Sequence, residues 1–504
     1  MACTLGSRLL GFLRIAVIGA IFGASGTADV WNAVFTIPNN FRKLLAEGAL
    51  SSAFIPSLSE SLLEDTSGKL AQKITRSIIT FQLTILLPLT ALAFLFAGPI
   101  IQVLLSFPEP EKMIRSGELF RWTFSYLIFI SISAVLMAVL NSHNIFVIPA
   151  LTPLFFSICM IGSTLLLYRR MGIFSMAVGI ILGGIAQICF QLPKFLSLGY
   201  DMRLDFHFGY ERFKRILKAW LPVLISASIF AITQQVAVLL ASGLEDGSAS
   251  ALSNALVFFQ LPFGIFSTAV VTVLFPRMSR QAALKDTGGL TETLSYGLRF
   301  ILILLIPAAI FYIFMGKEII GVALERYKFS EQNTLWAAKV LTGYSLGLFS
   351  LGGFTFLQRF FYSLQDFRTP LIVSAIVSVI DIILSLWLKE TPLRVTGLAV
   401  ANSIAFTLGF LVLLIRASLK LGGLNGKMIL NTVRRLILSM LPFSAFIWAY
   451  LHFTGPVWTS GSSIRNLILV LIALVLGAGI VLVMYYVTGL EILQDIIKVR
   501  RGKK

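Results

Sequence analysis

Apolar runs of about 20 residues recur along the whole chain, each long enough to cross a bilayer core of about 30 Å. With no water to satisfy the backbone in lipid, runs this long and continuous are predicted to be helices. The pattern places spans near 6–23, 28–50, 74–103, 119–141, 147–168, 174–197, 215–242, 248–275, 290–316, 334–362, 370–388, 395–418, 428–452 and 464–489. Breaks fall at clusters of proline, glycine and charge, such as Pro108 to Lys112, Glu245-Asp246-Gly247 and Lys389 to Pro392. The predicted fold is an all-α polytopic membrane protein of about 14 transmembrane helices.

A weak internal repeat organises these spans. Ile37-Pro38 followed by Phe54-Ile55-Pro56-Ser57 in and after the second span matches Leu261-Pro262 followed by Leu274-Phe275-Pro276-Arg277 in the eighth. Two such helices six spans apart run in the same direction. They predict two six-helix lobes around a central cavity, related by an axis along the membrane normal, plus two C-terminal helices. The expected divisions are 1–198 for the first lobe, 199–214 for a cytoplasmic linker, 215–420 for the second lobe, and 421–504 for the last two helices and a basic tail.

Composition agrees with this pattern: of 504 residues, 57% are hydrophobic and 13% charged, with a mean hydropathy of +0.89. The net charge of +18 in a soluble chain points to nucleic acid. Here the bases collect in loops after even-numbered spans, among them Lys69, Lys73, Arg203, Lys214, Arg277 and Lys420, and in the tail from Lys498 to Lys504. That is the positive-inside pattern, with both termini cytoplasmic. The partners it indicates are anionic membrane lipids, not nucleic acid. Cys3, Cys159 and Cys189 make no disulfide framework, and three scattered histidines make no zinc site. The N-terminus reads as a first span rather than a cleaved signal.

The stretch from Ser7 to Pro56 breaks the apolar pattern. Ionisable groups in hydrocarbon cost roughly 2.5–3.5 kcal/mol each on insertion scales and persist where they face a wet cavity or bind a ligand. At about 100° per residue, Asp29, Asn32, Thr36, Asn39 and Lys43 share one stripe roughly 80° wide, flanked by Arg42 and Asn40. Val30, Val34, Ile37, Phe41 and Leu45 form the opposite face. In the first span, Arg14 lies about 9 Å deeper than Arg8. Snorkelling to the surface rescues Arg8 more easily than Arg14, so Arg8 reads equally as anchor or ligand, while Arg14 and Arg42 read as ligands. Guanidinium groups offer forked, permanently charged donors suited to phosphate or carboxylate. Lys43 is either an interfacial anchor or a gate partner, and Glu47 and Asp29 either neutralise neighbouring bases or form gates.

Later in the chain, Thr233, Gln234, Gln235, Ser253, Asn254 and Gln260 form a milder polar lining or ordinary helix–helix hydrogen bonds. Asp381, with Ser385 one turn on, is a deep acid of the later spans and a candidate cation or proton site. The chain has no phosphate-binding Gly-x-x-x-x-Gly-Lys-Ser/Thr loop, no His-Glu-x-x-His and no Gly-x-Ser-x-Gly elbow. It reads as a transporter, not an enzyme, with no cofactor beyond a coupling monovalent cation or the membrane potential.

Several of these residues also carry a family resemblance. Ser7-Arg8-Leu9-Leu10-Gly11-Phe12-Leu13-Arg14, Phe22-Gly23-Ala24, Ala28-Asp29, Pro38-Asn39, Phe41-Arg42-Lys43 and Ala46-Glu47-Gly48-Ala49 resemble the opening of the MurJ/MviN family. Leu140 to Asn144 with Phe146, Pro149 and Pro153, then Gln260-Leu261-Pro262, then Phe361-Tyr362-Ser363 with Asp366 and Thr369-Pro370, continue it in order. The resemblance implies a fourteen-span member of the multidrug/oligosaccharidyl-lipid/polysaccharide exporter superfamily. It implies flipping of lipid II, the undecaprenyl-diphosphate peptidoglycan precursor, across the bacterial inner membrane by alternating access. It implies cavity arginines at Arg8, Arg14 and Arg42; the polar stripe adds Asn39, Asn32 and Asp29 as substrate-binding candidates, and a monomer working beside cell-wall synthases is expected. The chain departs from the family pattern at Ile15, Ala237 and Val257, where the family has Asp, Asp and Arg. Exporters of other undecaprenyl-diphosphate-linked oligosaccharides are the nearest alternative. A membrane glycosyltransferase lacks its catalytic carboxylate here, and a scaffold has no need of the polar stripe.

Overall fold

The structure is a computed structural model. It describes residues 2–44, 49–65 and 67–490, and within them all side chains except those of 2–5, 7–9, 49–53, 222, 223 and 226. Among the described residues every regular element is helical. Packing divides the chain into two compact units, Met1–Ser250 and Ala251–Lys504.

The first unit contains α1 (Ala2–Phe22), α2 (Thr27–Arg42), α3 (Ala49–Glu64), α4 (Lys69–Leu95), α5 (Ala97–Leu104), α6 (Pro110–Ser142), α7 (Val147–Met171), α8 (Phe174–Ser197) and α9 (Glu211–Ser242). It ends in the first turn of α10 (Ser248–Pro262). Helix α6 packs on α2, α4 and α8, while α7 lies against α1 and α8. The α7–α8 seam is close because it is built on small residues: a Cβ on Gly179 would stand 2.8 Å from the Met160 Cα, and one on Gly183 3.0 Å from the Phe156 Cα. Small residues let helix backbones approach in a membrane, where van der Waals contact replaces the hydrophobic drive.

The second unit contains most of α10, a π-helical turn (Phe263–Ser267), α11 (Thr268–Ala283), α12 (Thr287–Leu324), α13 (Glu331–Ser345), α14 (Leu348–Ser363), α15 (Arg368–Leu388), α16 (Val395–Leu421), α17 (Gly426–Thr454) and α18 (Ile464–Val487). Helix α16 packs on α13, α14 and α15, and α12 is the axis against which α13, α14 and α17 lie. Leu436, Met440, Phe443 and Ile447 of α17 form a core with Ala473, Val481 and Tyr485 of α18.

Among the described residues, the expected spans fall on one of these helices or on consecutive ones; residues 45–48 of the second span lie outside the described residues. Ten helices of the described chain have the length and composition to cross a membrane, or eleven if α13 and α14, bent by 46°, are one span. The polar α2 is 16 residues long.

The stretch expected to link the lobes is docked on α4. Gln72 donates to the Gly199 carbonyl at 2.7 Å, Arg76 makes two hydrogen bonds to Asp201, and the Asp205 N–H donates to the Thr80 hydroxyl at 2.8 Å. Phe81 packs edge-on against Phe208 and Phe213. The Arg76 guanidinium holds the Asp201 carboxyl below the usual carboxylate range. Tyr200 accompanies His143 at 2.9 Å, and burial pushes its phenol up to about 12. This docking, and the contacts of α9 with α2, α3, α4 and α5, lie within the first unit. A hydrophobic run marks where a span lies but not which neighbours it packs against.

The α6–α7 and α14–α15 turns share one loop geometry. In the α6–α7 turn Asn144 has φ 59°, the Asn144 N–H donates to the Asn141 carbonyl and the Ile145 N–H to the Leu140 carbonyl. In the α14–α15 turn Gln365 has φ 59°, the Gln365 N–H donates to the Tyr362 carbonyl and the Asp366 N–H to the Phe361 carbonyl. In both, an exposed phenylalanine, Phe146 or Phe367, precedes the next helix, with Pro149 or Pro370 three residues further on.

Candidate functional site

Helix α2 exposes part of the polar stripe drawn on the wheel, buries Asp29 and Thr36, and puts its polar residues to two different uses. Val30, Val34 and Ile37 are buried, which fixes the helix rotation and leaves Asn32, Asn39 and Arg42 partly exposed and Lys43 exposed. At the N-terminal end, the buried Asp29 carboxylate accepts from the Ser250 N–H at 2.6 Å, and Asn32 donates to the Ser250 hydroxyl at 2.9 Å. Ser250 lies in the first turn of α10, whose amides have no partner within their own helix. Asp29 and Asn32 therefore close a helix terminus. Asp246 adds to this end by accepting from the Gly26 N–H at 2.8 Å and from Lys112 at 2.7 Å.

At the other end, about 20 Å away for thirteen residues of helix, lies Arg42. Arg42 donates through Nε to the Asn39 side-chain oxygen at 3.0 Å. The Arg14 guanidinium of α1 lies over the Phe156 ring, 5.0 Å from its centre, and is in Coulombic range of Arg42 and Tyr126. Arg14 has no carboxylate partner among the described residues. Lys43 donates to Gln234 of α9 at 3.3 Å, and the buried Asn40 to the Ala231 carbonyl at 3.4 Å. The Arg8 side chain and all of Glu47 lie outside the described residues, so the gate expected of Glu47 does too. The first unit thus brings Arg14, Arg42 and Asn39 together and keeps Asp29 and Asn32 apart from them.

The aromatic bed under Arg14 was not singled out in the sequence. Phe156 sits 5.5 Å from Tyr126 and 6.5 Å from Phe35, and Phe35 stacks on Trp31 at 5.2 Å. Phe156 lies in the apolar run Leu154-Phe155-Phe156, where nothing marks one ring as different from its neighbour.

In the second unit Asp381 is buried on α15. Its oxygens accept from Ser385, one turn on, at 3.3 Å and from Asn402 of α16 at 2.7 Å. Tyr344 is in Coulombic range, and no base among the described residues pairs with the carboxylate. Asn402 also escaped the sequence reading; its one signal is an amide within the apolar run of α16. Among the described residues no three His, Cys, Asp or Glu side chains converge as a metal site. The milder polar residues serve as glue where their bonds are seen: Gln235 donates to the Leu104 carbonyl at 3.1 Å, and Thr233 to its own helix.

Two bodies of packed helices, a base-rich site on α1 and α2, and a buried acid on α15 define a polytopic transporter of the helical exporter type. Solved structures carry this fold: the chain matches an inward-facing multidrug resistance MATE family transporter of the MOP superfamily with a TM-score of 0.65 at 13% identity, over 84% of this chain and 98% of that one. The match to a structure of lipid II flippase MurJ in an inward closed conformation has a TM-score of 0.75 at 28% identity, over 98% of this chain and 99% of that one. The family model for lipid II flippase MurJ matches residues 18–469. A probable lipid II flippase MurJ of Borreliella burgdorferi is 33% identical over 494 residues, 97% of this chain and 96% of the relative. Another from Vibrio cholerae is 31% identical over 425 residues, 82% and 80% of the two chains. The chain belongs to the lipid II flippase MurJ family.

Proposed function

We propose that this protein flips lipid II from the inner to the outer leaflet of the bacterial cytoplasmic membrane by alternating access, with Arg14 and Arg42 holding the diphosphate. Family membership along the whole chain supports the reaction. The observation that carries the site is Arg14 held over the Phe156 ring within Coulombic range of Arg42, with no carboxylate on Arg14 among the described residues. Like charges held together favour a polyanion between them, and forked guanidinium donors match phosphate oxygens. Asn39 turns Arg42 by its bond to Nε.

The bases in loops after even-numbered spans support a cytoplasmic location for both termini. Lipid II is anionic, so outward movement from a negative interior gains about 2.3 kcal/mol per charge per 100 mV. We further propose that Asp381 couples a monovalent cation to the cycle. A carboxylate, the Ser385 hydroxyl and the Asn402 side chain, which presents its oxygen when turned over, fit a hard cation. One polypeptide carries both units, so a monomer suffices.

The test is complementation. The flippase of a bacterial host is depleted, this chain is expressed, and lipid II arriving at the outer leaflet is followed. Rescue by the parent and loss in Arg14→Ala/Arg42→Ala at normal membrane levels is the expected result. Rescue by both overturns the arginine site, and no rescue by a well-expressed parent in a compatible host overturns the substrate.

A further inference from the structure

We infer that Phe156 is the positioning residue for Arg14: its ring fixes the guanidinium in place without using any of the hydrogen bonds that the substrate needs. This rests on the proposed reading that Arg14 binds a diphosphate. The ring is itself held from several helices. Gly183 of α8 backs it so closely that a Cβ there would stand 3.2 Å from the Phe156 ring. Tyr126 of α6 and Phe35 of α2 flank it at 5.5 and 6.5 Å, and Trp31 supports Phe35 from its buried place at 5.2 Å. Arg14 lies over this ring, 5.0 Å from its centre, on the helix that packs against α7.

The chemistry of the contact matters for function. A carboxylate at this position neutralises the guanidinium and occupies its N–H fork, so an incoming phosphate has to displace it. An aromatic ring attracts the cation through its quadrupole and offers no lone pair. Arg14 is therefore held, keeps its charge unneutralised, and keeps its donors for the phosphate oxygens. A guanidinium on a flexible stem loses rotamer freedom on binding, and one already held loses less. The same ring stabilises a cation that sits beside Arg42 without an ion partner among the described residues.

The experiment replaces Phe156 in the full chain with mono-, di- and trifluorophenylalanine, which drain the ring quadrupole while nearly keeping its shape. Lipid II binding is measured on the purified protein in nanodiscs, in the parent and in an Arg14→Ala background. The expected result is an apparent affinity that falls stepwise with each fluorine, reaching about 2- to 30-fold in all, and a flat series when Arg14 is absent. Phe156→Tyr, which keeps the quadrupole, retains affinity, whereas Phe156→Leu loses it. A flat series in a parent that binds lipid II overturns the role of Phe156 and leaves the function standing. An equal fall in the Arg14→Ala background also overturns it, by assigning the ring a packing role. A parent that binds no lipid II overturns the functional reading and this inference with it.

Discussion

Arg14 in the first unit and Asp381 in the second are both ionisable groups in membrane-length sequence, and neither has an oppositely charged side chain beside it among the described residues. The protein settles them differently. Arg14 rests on an aromatic ring and stays partly exposed, beside a second arginine. Asp381 is buried, and both its oxygens are engaged by neutral donors from Ser385 and Asn402. Charges elsewhere are paired where their partners are seen, as in Arg76 with Asp201, Lys112 with Asp246 and Lys420 with Asp366. Under the proposed function the open cation meets an anion of the size of a diphosphate, and the enclosed acid meets an ion small enough to enter. The two units share turn geometry at Asn144 and Gln365, yet Arg14 and Asp381 are settled by different means.

The strongest way to break this comparison is the arginine pair. Charge-assisted hydrogen bonds contribute about 1.5–3 kcal/mol each, so Arg14→Ala/Arg42→Ala is expected to lower lipid II transport about 100-fold or more. Lysine at both positions restores part of it; a double alanine variant with parental transport ends the claim. Asp381→Asn comes next. It keeps the shape and removes the charge, and it is expected to slow transport about 10-fold, abolish any dependence on monovalent cations, and leave lipid II affinity unchanged. A fall in affinity of the same size would move Asp381 into the substrate site.

Asp29→Ala separates the two ends of α2. It strands the Ser250 N–H in the first turn of α10 and is expected to destabilise the protein by about 1–3 kcal/mol, seen as a lower unfolding temperature in detergent. Lipid II affinity of the folded fraction stays near the parent's; a selective loss of affinity at unchanged stability would return Asp29 to the substrate. The smallest effect concerns Asp201. Its carboxyl is held below its ordinary range by Arg76, so the pair stabilises the protein above the unfolded carboxyl pKa of about 3.9. That stability is lost as pH falls through the lower folded value. Both partners are partly exposed, so Asp201→Asn is expected to cost up to about 1 kcal/mol at neutral pH, with the difference from the parent shrinking in acid. A difference that grows in acid contradicts the assignment.

Length of apolar run and proline and glycine breaks were enough to predict the helices and their order, and the polar stripe of α2 was enough to single out Arg42 for attention. Those features follow from the chain's own covalent order, because a bilayer forces each long apolar run to satisfy its backbone within itself. Helical periodicity likewise put Asn39 beside Arg42 and Ser385 beside Asp381, since residues three and four apart share a helix face. Partners from other helices had no such signal. Ser250 for Asp29, Asn402 for Asp381 and Phe156 for Arg14 lie far away in sequence and look ordinary where they stand. The tertiary structure alone decided that Asp29 closes a helix terminus, that α9 packs in the first unit, and that an aromatic ring holds Arg14. The reason is that hydrogen bonds and ring contacts act over a few ångströms, and only packing sets those distances between separate helices.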